Sequence, residues 1–410
     1  MRHETIHFRH PRHTIIVLST PSHKPARLPW WAVIPPAVYL FILPFAHTIA
    51  IRWVALGVGI IVAIRYLPTT GAPRTSAFLP IALWVTVAAT SLVWAEDFYY
   101  SFGEFRIDVL YALAGFFVSF ILTESEREFR ILLWSILVGA FTISAIAVTS
   151  YLQNDEWIAG YQNFLGEFAS CMLMAIAVIP LVATEKAKRE RKLLAITVAL
   201  VVVFSAGLCT RSRMFWISAF SVVIVAGTMY AWEKPIKVRM AVAMGLLLML
   251  AIGTAGFMFA SASRGVSTDS KDPRLAIWNQ AFQDISERPF SGAGFGREVY
   301  KDRYMALMPE KGLYHAHNIF LSYGEQMGIQ GIVCLVVLFV ALLLEFFRLW
   351  KQDDSLTRNI GIAGTALIVG VIVKSATDTH FGREVTLYFW AIVGMLLGFG
   401  RRRADAHRNA

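Results

Sequence analysis

The chain has 410 residues, of which 56% are hydrophobic and 16% charged, and its formal net charge is +10 at pH 7. Soluble globular domains carry roughly 25% charged residues, so this composition excludes an ordinary soluble enzyme and points to a lipid bilayer. The three cysteines, Cys171, Cys209 and Cys334, fall within or at the edge of apolar stretches, with neither a disulfide framework nor a zinc spacing.

Residues 1–29 form a polar arm with Arg2, Arg9, Arg12, Lys24 and Arg27. Its scattered histidines (His3, His7, His10, His13, His23) read as decoration of a tail rather than as a metal site. WWAVIPPAVYLFILPF follows with no small-residue cleavage site, so it reads as a retained signal anchor. Apolar stretches close to 20 residues long, enough to cross roughly 30 Å of hydrocarbon, then recur along the chain. They cover 30–46, 48–64, 76–94, 106–122, 130–151, 164–183, 193–209, 214–231, 240–260, 317–347, 357–374 and 384–400. The expected fold is an all-α polytopic membrane protein of about twelve helices. Nine spans fill 30–260, one long external loop with an amphipathic helix covers 261–316, three spans fill 317–400, and a short tail covers 401–410.

Lysine and arginine in short loops mark the cytoplasmic side. TEKAKRERK (184–192), WEKPIKVRM (232–240), FRLWKQDDSLTR (347–358) and both termini are basic, whereas AEDFYYSFGE (95–104) and QNDEWIAGYQNFLGE (153–167) are acidic and aromatic. The two kinds alternate as an even number of spans requires, which places both termini in the cytoplasm. The positive charge is therefore mostly topology, and no nucleic-acid partner is implied.

TRSR (210–213) breaks this pattern, because it joins the seventh and eighth spans on the non-cytoplasmic face. Arg211 and Arg213 either face something anionic there or snorkel to ordinary headgroups. In the long loop, DPRLAIWNQAFQDISERPF (272–290) reads as a helix: Asp272 caps it, Pro273 opens it and Pro289 stops it. Trp278, Ala281, Phe282 and Ile285 share its apolar stripe, with Arg274 one turn before Trp278. A cation in that first turn opposes the helix dipole unless an anion is near. PFSGAGFG (289–296) follows, and Gly292 and Gly294 permit a tight turn or close backbone approach to a phosphate.

His315, His317 and Asn318 open the tenth span. Capping and solvation, a His-x-His metal pair and a catalytic imidazole are the open readings; metal is the weakest, since no further ligands are evident on that face. Glu325 lies one or two turns on, where an ionisable group is a functional candidate by default. Trp94, Phe98, Tyr99, Tyr100 and Trp157 either form an interfacial belt or stack on sugars, and His380, Asp378 and Arg383 share the outer face.

T-x-S-R (Thr210, Ser212, Arg213), R-x-x-x-W (Arg274, Trp278), P-x-x-G-x-G (Pro289, Gly292, Gly294) and H-N-x-x-L (His317, Asn318, Leu321) occur in that order around one long external loop. Together they resemble the O-antigen ligase and O-antigen polymerase superfamily over roughly residues 200–330. Met214 stands where the family often has glycine, and Arg211 occupies the motif's variable position, so its role rests on location. The resemblance implies a C-type, metal-independent glycosyltransferase of the bacterial inner membrane, with no cofactor and its site on the periplasmic face. Its partners would be an undecaprenyl-pyrophosphate-linked glycan donor, a lipid A core oligosaccharide acceptor and the bilayer.

In that setting Arg213, Arg274 and Arg211 bind the pyrophosphate and His317 is general base or a phosphate contact. Asn318, His315, Glu325, Gly292 and Gly294 support the site. Within the superfamily the single long loop favours a ligase over a polymerase or a protein O-oligosaccharyltransferase. A secondary transporter is the alternative of another class; against it stand the absence of an internal repeat and the gathering of polar residues at one face.

Overall fold

The computed structural model describes residues 28–70, 72–154, 165–182, 189–232, 234–262, 273–307, 314–376 and 381–408. The N-terminal arm with its histidines, Trp157, most of the 184–192 basic loop, Asp272, Asp378 and His380 lie outside the described residues. Within them the protein is all-helical. A short 3-10 turn leads into α1 (Ile34–Ile42), followed by α2 (Ile49–Thr70), α3 (Phe78–Ser91) and α4 (Phe98–Phe105). A π-turn, Arg106–Tyr111, carries α4 into α5 (Ala112–Leu122); α6 (Glu126–Asn154) and α7 (Leu165–Val178) come next. α8 (Arg189–Val203) ends in a second π-turn, Phe204–Cys209, before α9 (Arg213–Ala231) and α10 (Ile236–Ala262). The remainder comprises α11 (Pro273–Glu287), α12 (Lys301–Leu307), α13 (Ile319–Met327), α14 (Ile329–Trp350), α15 (Ser355–Ser375) and α16 (Glu384–Arg408).

Seven stretches among the described residues are long and apolar enough to cross a membrane: Ile49–Pro68, Phe98–Leu122, Glu126–Gln153, Arg213–Ala231, Ile236–Met258, Ile329–Trp350 and Ser355–Ser375. Shorter apolar helices cover Trp30–Ile42, Phe78–Trp94, Leu165–Leu181 and Leu193–Cys209. The protein is therefore a polytopic membrane protein. α10 turns most of its apolar surface outward, with Met240, Met244, Leu247 and Leu248 all exposed, as a helix bathed in lipid does. α16 is its opposite: every residue from Val385 to Gly400 is buried, so this helix runs through the middle of the bundle.

Association of helices in lipid gains little from the hydrophobic effect and depends on close packing. Gly394 and Gly398, four residues apart on α16, supply that closeness. A Cβ at either would come within 2.3 Å of the carbonyl oxygen of Phe116 or Phe120 on α5. Rings close the seams on either side, with Trp84 stacked on Trp390 at 5.5 Å and Phe129 on Phe399 at 4.6 Å. All three cysteines are free and buried, so they act as small apolar fillers.

The two ends of the bundle are built differently. At one, the fully buried Glu345 accepts from Thr75 Oγ1 (2.7 Å), Arg348 Nη1 (2.8 Å) and Arg401 Nε (2.7 Å). Arg403 there binds Asp354 and lies 3.4 Å from Glu126. Because α16 starts at Glu384 and α6 ends at Asn154, the opposite end holds Tyr151, Arg383 and Glu384; α11 and α12 lie at that end, called here the α11 end.

Two expectations change. The stretch 317–347 is not one helix: α13 and α14 are separated at Gly328, whose φ is +73°. Pro289 causes the break, its carbonyl oxygen accepting the Ile329 N–H at 2.8 Å while leaving no room for a side chain at Gly328. The buried stripe of α11 is Ile277, Ala281 and Ile285, with Trp278 at its edge, while Phe282 points outward at 61% exposure. α11 is covered by α12, α13 and the glycine loop, and this cover lies over the Ile277 side of the helix.

Replacing Gly394 by alanine tests the packing. Alanine gains about 1 kcal/mol of helix propensity, but the clash with Phe116 costs about 1–3 kcal/mol. The thermal midpoint in detergent should fall, and a rise would show that α5 and α16 have room to spare.

Candidate active site at the α11 end

The turn bearing Arg211 and Arg213 is shaped by its two hydroxyls. Thr210 Oγ1 donates back to the Ala206 carbonyl inside the π-turn and accepts from Ser212 N at 3.2 Å. Ser212 caps α9, accepting from Phe215 N at 3.3 Å. Between them Arg211 takes a left-handed conformation, φ +52°, and its Nη2 donates to Tyr151 Oη at 3.1 Å. Arg211 and Arg213 are both half-buried. Two guanidinium groups are thus held at the N-terminus of a helix, the end whose dipole repels cations.

The glycine loop is bonded through its amides to the end of α13. Ala293 N donates to the Glu325 carbonyl (2.8 Å), Gly294 N to the Gln326 carbonyl (3.0 Å) and Gly296 N to Gln326 Oε1 (3.0 Å). These amides satisfy carbonyls at the end of α13, which would otherwise lack partners. A Cβ at Gly292 (φ +64°) would lie 2.4 Å from the Gln326 carbonyl carbon, and one at Gly294 (φ +108°) 2.5 Å from Ala95 Cβ. The far side of the loop is tied down by Trp94, whose indole donates to the Ser291 carbonyl, by Glu96 N to the Ala293 carbonyl (3.0 Å), and by Tyr100 Oη, which accepts from Glu298 N (2.9 Å). Trp94 and Tyr100 thus anchor the loop, whereas Phe98 and Tyr99 are exposed.

His317 lies where these supports meet. Trp278 Nε1 on α11 donates to the Ala316 carbonyl at 3.0 Å. Asn318 caps α13 through Oδ1, which accepts from Phe320 N (2.9 Å) and Leu321 N (3.2 Å), while its Nδ2 donates to the Ala376 carbonyl (2.9 Å) at the end of α15. Gripped on both sides, His317 adopts φ +49°, a conformation uncommon outside glycine and one that accompanies functional constraint. Its ring centroid is 3.9 Å from that of the buried His315, which lies 4.7 Å from the Tyr314 ring. Arg274 is half-buried in the first turn of α11, one turn before Trp278. The His317 group is thus held from α11 and α15, and the Arg211 turn from α6.

Glu325 faces α12 and receives the Tyr304 hydroxyl. Burial raises its carboxyl to about 8, with Asp284 adding to the shift and the Tyr304 hydrogen bond and Arg303 opposing it. The surrounding cluster of Ile277, Ala281, Tyr300, Tyr304 and Leu321 forms a small core apart from the main one.

Reasoning from motifs missed Arg297, which directly follows the glycine loop. Its side chain is 9% exposed, with Nη2 3.7 Å from Glu167 Oε1 and Cζ 6.0 Å from the Tyr314 ring centroid. Burial alone would lower it, but Tyr314, Glu167, Asp108 and Glu104 together raise it above the ordinary arginine value. Asp108 Oδ1 in turn accepts the Arg383 backbone N–H at 2.6 Å, and Arg383 Nη2 is 3.9 Å from Glu104 Oε1. A buried arginine set against acids from α4, the following π-turn and α7 thereby backs the Tyr314–His317 segment. The one local signal was an arginine after Gly-x-Gly, which is common in loops.

Residues 195–336 match the family model described as O-antigen ligase. Over this segment the chain is similar to O-antigen ligases. The match spans the Arg211 turn, α11, the glycine loop, His317 and Glu325, whereas Glu104, Asp108, Glu167, Ala376 and Arg383 lie outside it. No curated protein matches the chain.

Glu325 provides a pH test. Its folded-state value lies above that of a free carboxyl, 4.5, so the unfolded chain loses this proton first and stability falls as pH rises from 4.5 toward 8. Glu325→Gln should remove this component. The difference in thermal midpoint between wild type and variant should change sharply across the window; a constant difference would mean that Glu325 ionises normally.

Proposed function

We propose that the protein is an inverting, metal-independent ligase that transfers O-antigen glycan from undecaprenyl pyrophosphate to the lipid A core oligosaccharide. The reaction would occur at the periplasmic face of the bacterial inner membrane, at the α11 end, with both termini in the cytoplasm. The observation that carries this reading is the Arg211–Arg213 turn. Its left-handed residue costs about 1–2 kcal/mol and its cations oppose the helix dipole by about 0.3–1 kcal/mol. A bound diphosphate reverses the second term and gives the first a purpose.

In this reaction an acceptor hydroxyl oxygen forms a bond to the anomeric carbon as the bond from that carbon to the pyrophosphate oxygen breaks. The electron pair leaves with the diphosphate, which gains a negative charge. Arg211, Arg213 and Arg274 stabilise that developing charge through planar, bidentate contacts more strongly than they stabilise the bound donor. His317, neutral, accepts the hydroxyl proton. Attack opposite the leaving group inverts the anomeric configuration. Asn318 caps the N-terminal end of α13, which His317 precedes, with His315 packed beside the imidazole, while Gly292, Gly294 and Glu325 brace the opposite end of that short helix.

The test is transfer from a lipid-linked donor to rough lipopolysaccharide by the purified protein. Arg213→Lys, Arg274→Ala and His317→Ala should each insert normally and lose about 100-fold or more of the rate. Near-normal product from His317→Ala removes it as the base. Lengthening of the donor without acceptor identifies a polymerase, and movement across vesicles with no covalent product a transporter. Chelators should leave the rate unchanged; dependence on an added divalent ion would restore the His-x-His metal reading.

A further inference from the structure

At the α11 end a cavity of about 370 Å³ lies between α1, α2, the 106–111 π-turn and the start of α16. Every residue lining it is outside 195–336. Three guanidinium groups, those of Arg52, Arg106 and Arg383, reach it together with one carboxylate, Glu384.

The three cations are not equally engaged. Arg52 is consumed by its surroundings: it pairs with Glu384 at 2.7 Å and donates to Thr48 Oγ1 at 2.8 Å. Arg383 is half-exposed, and among the described residues its guanidinium lies 3.9 Å from Glu104 Oε1. Arg106 is exposed, stands 5.9 Å over the Tyr111 ring, and pairs with no carboxylate among the described residues. A buried donor also waits at the wall. Tyr39 is 1% exposed, lines the cavity, and its hydroxyl has no hydrogen-bond partner among the described residues. Native structures seldom leave such a group unsatisfied.

The cavity also bears the marks of a lipid boundary. Ile107 and Leu387 contribute apolar wall. Ile49, Trp53 and Leu110, at or beside its mouth, are exposed large hydrophobics. The Trp53 and Tyr111 rings meet at 4.0 Å, an aromatic pair of the kind found at headgroup level. Positive charge in excess, a spare buried hydroxyl and an apolar rim fit an anionic head joined to an apolar tail.

We propose that this cavity binds the phosphate-bearing headgroup of a membrane lipid in the leaflet at the α11 end, with Arg106 and Arg383 on the phosphate and the Tyr39 hydroxyl donating to it. Guanidinium and phosphate match in geometry and charge. Because Arg383 also holds the Asp108 carboxylate through its backbone, an occupied cavity would abut the acid–arginine group behind His317. The proposal requires nothing about glycosyl transfer.

The test uses the full-length protein in phosphatidylcholine nanodiscs doped with phosphatidic acid, with retained lipid counted by native mass spectrometry. Wild type should saturably retain a single phosphatidic acid, and Arg106→Gln should weaken that retention about tenfold, the loss of one charge-assisted contact. Arg106 is the residue to change because its removal strands no buried carboxylate; Tyr39→Phe, which removes one oxygen, should also weaken retention. Equal retention by wild type and both variants would overturn the proposal. So would stabilisation by inorganic phosphate alone as large as that by the lipid, which would mark the cavity as a site for free phosphate.

Discussion

A helix interrupted inside a membrane protein leaves backbone carbonyls and amides that neither lipid nor a neighbouring helix can satisfy, and each such group costs free energy. The interruption at Gly328 is tolerated because the 289–296 loop fills it. Ala293 and Gly294 donate to the last carbonyls of α13, and Pro289 accepts the first amide of α14. The two halves need each other, since the loop has no regular structure of its own and α13 is only nine residues long. This mutual satisfaction makes α13 a separate short helix with its own cap, Asn318, and sets His317 at its mouth.

Charge at the α11 end divides by burial. Arg297, whose side chain is 9% exposed, faces Glu167 and the Asp108–Glu104 pair, so its charge holds the wall behind Tyr314. Arg211 and Arg213 are half-buried, and Arg211 Nη2 donates to Tyr151 Oη. Removing one partner from a buried pair is costly because the other is left uncompensated. The Arg297 cluster therefore suits permanent architecture.

The helical stretches were legible in the sequence because hydrophobic length is a strong signal in a chain this apolar. The position of α11 followed from Pro273 and Pro289. Its buried side did not: Ile277 and Phe282 are equally apolar, and only the location of α12 and α13 decides between them. The break at Gly328 was illegible for a related reason, since GEQMGIQG reads smoothly until Pro289, some forty residues earlier, is placed beside it. Glycines in P-x-x-G-x-G were legible as positions of close backbone approach, but the approaching partner, the Gln326 backbone, is a long-range fact. Arg297 illustrates the same limit, because its acids come from residues 104, 108 and 167.

The π-turns add a further link between local strain and placement. One extra residue per turn weakens the local hydrogen bonding and tends to occur where function demands it. Both π-turns here border arginines: Arg106 begins the first, and the second runs directly into Thr210, Arg211 and Ser212. An α-helical Phe204–Cys209 would rotate everything after it, carrying Arg211 away from Tyr151 while leaving Trp216 no place in the notch lined by Gly207 and Gly256. That notch accepts the indole only because a Cβ on either glycine would come within 2.4 Å of it. The bulge, the two glycines and the indole thus act as one registering device, locking the start of α9 against α10 so that the two guanidinium groups emerge at the end of the bundle rather than into lipid. Register set deep in the bundle thereby determines where charge appears at its surface, and the segment 195–336 depends on helices that lie well outside it.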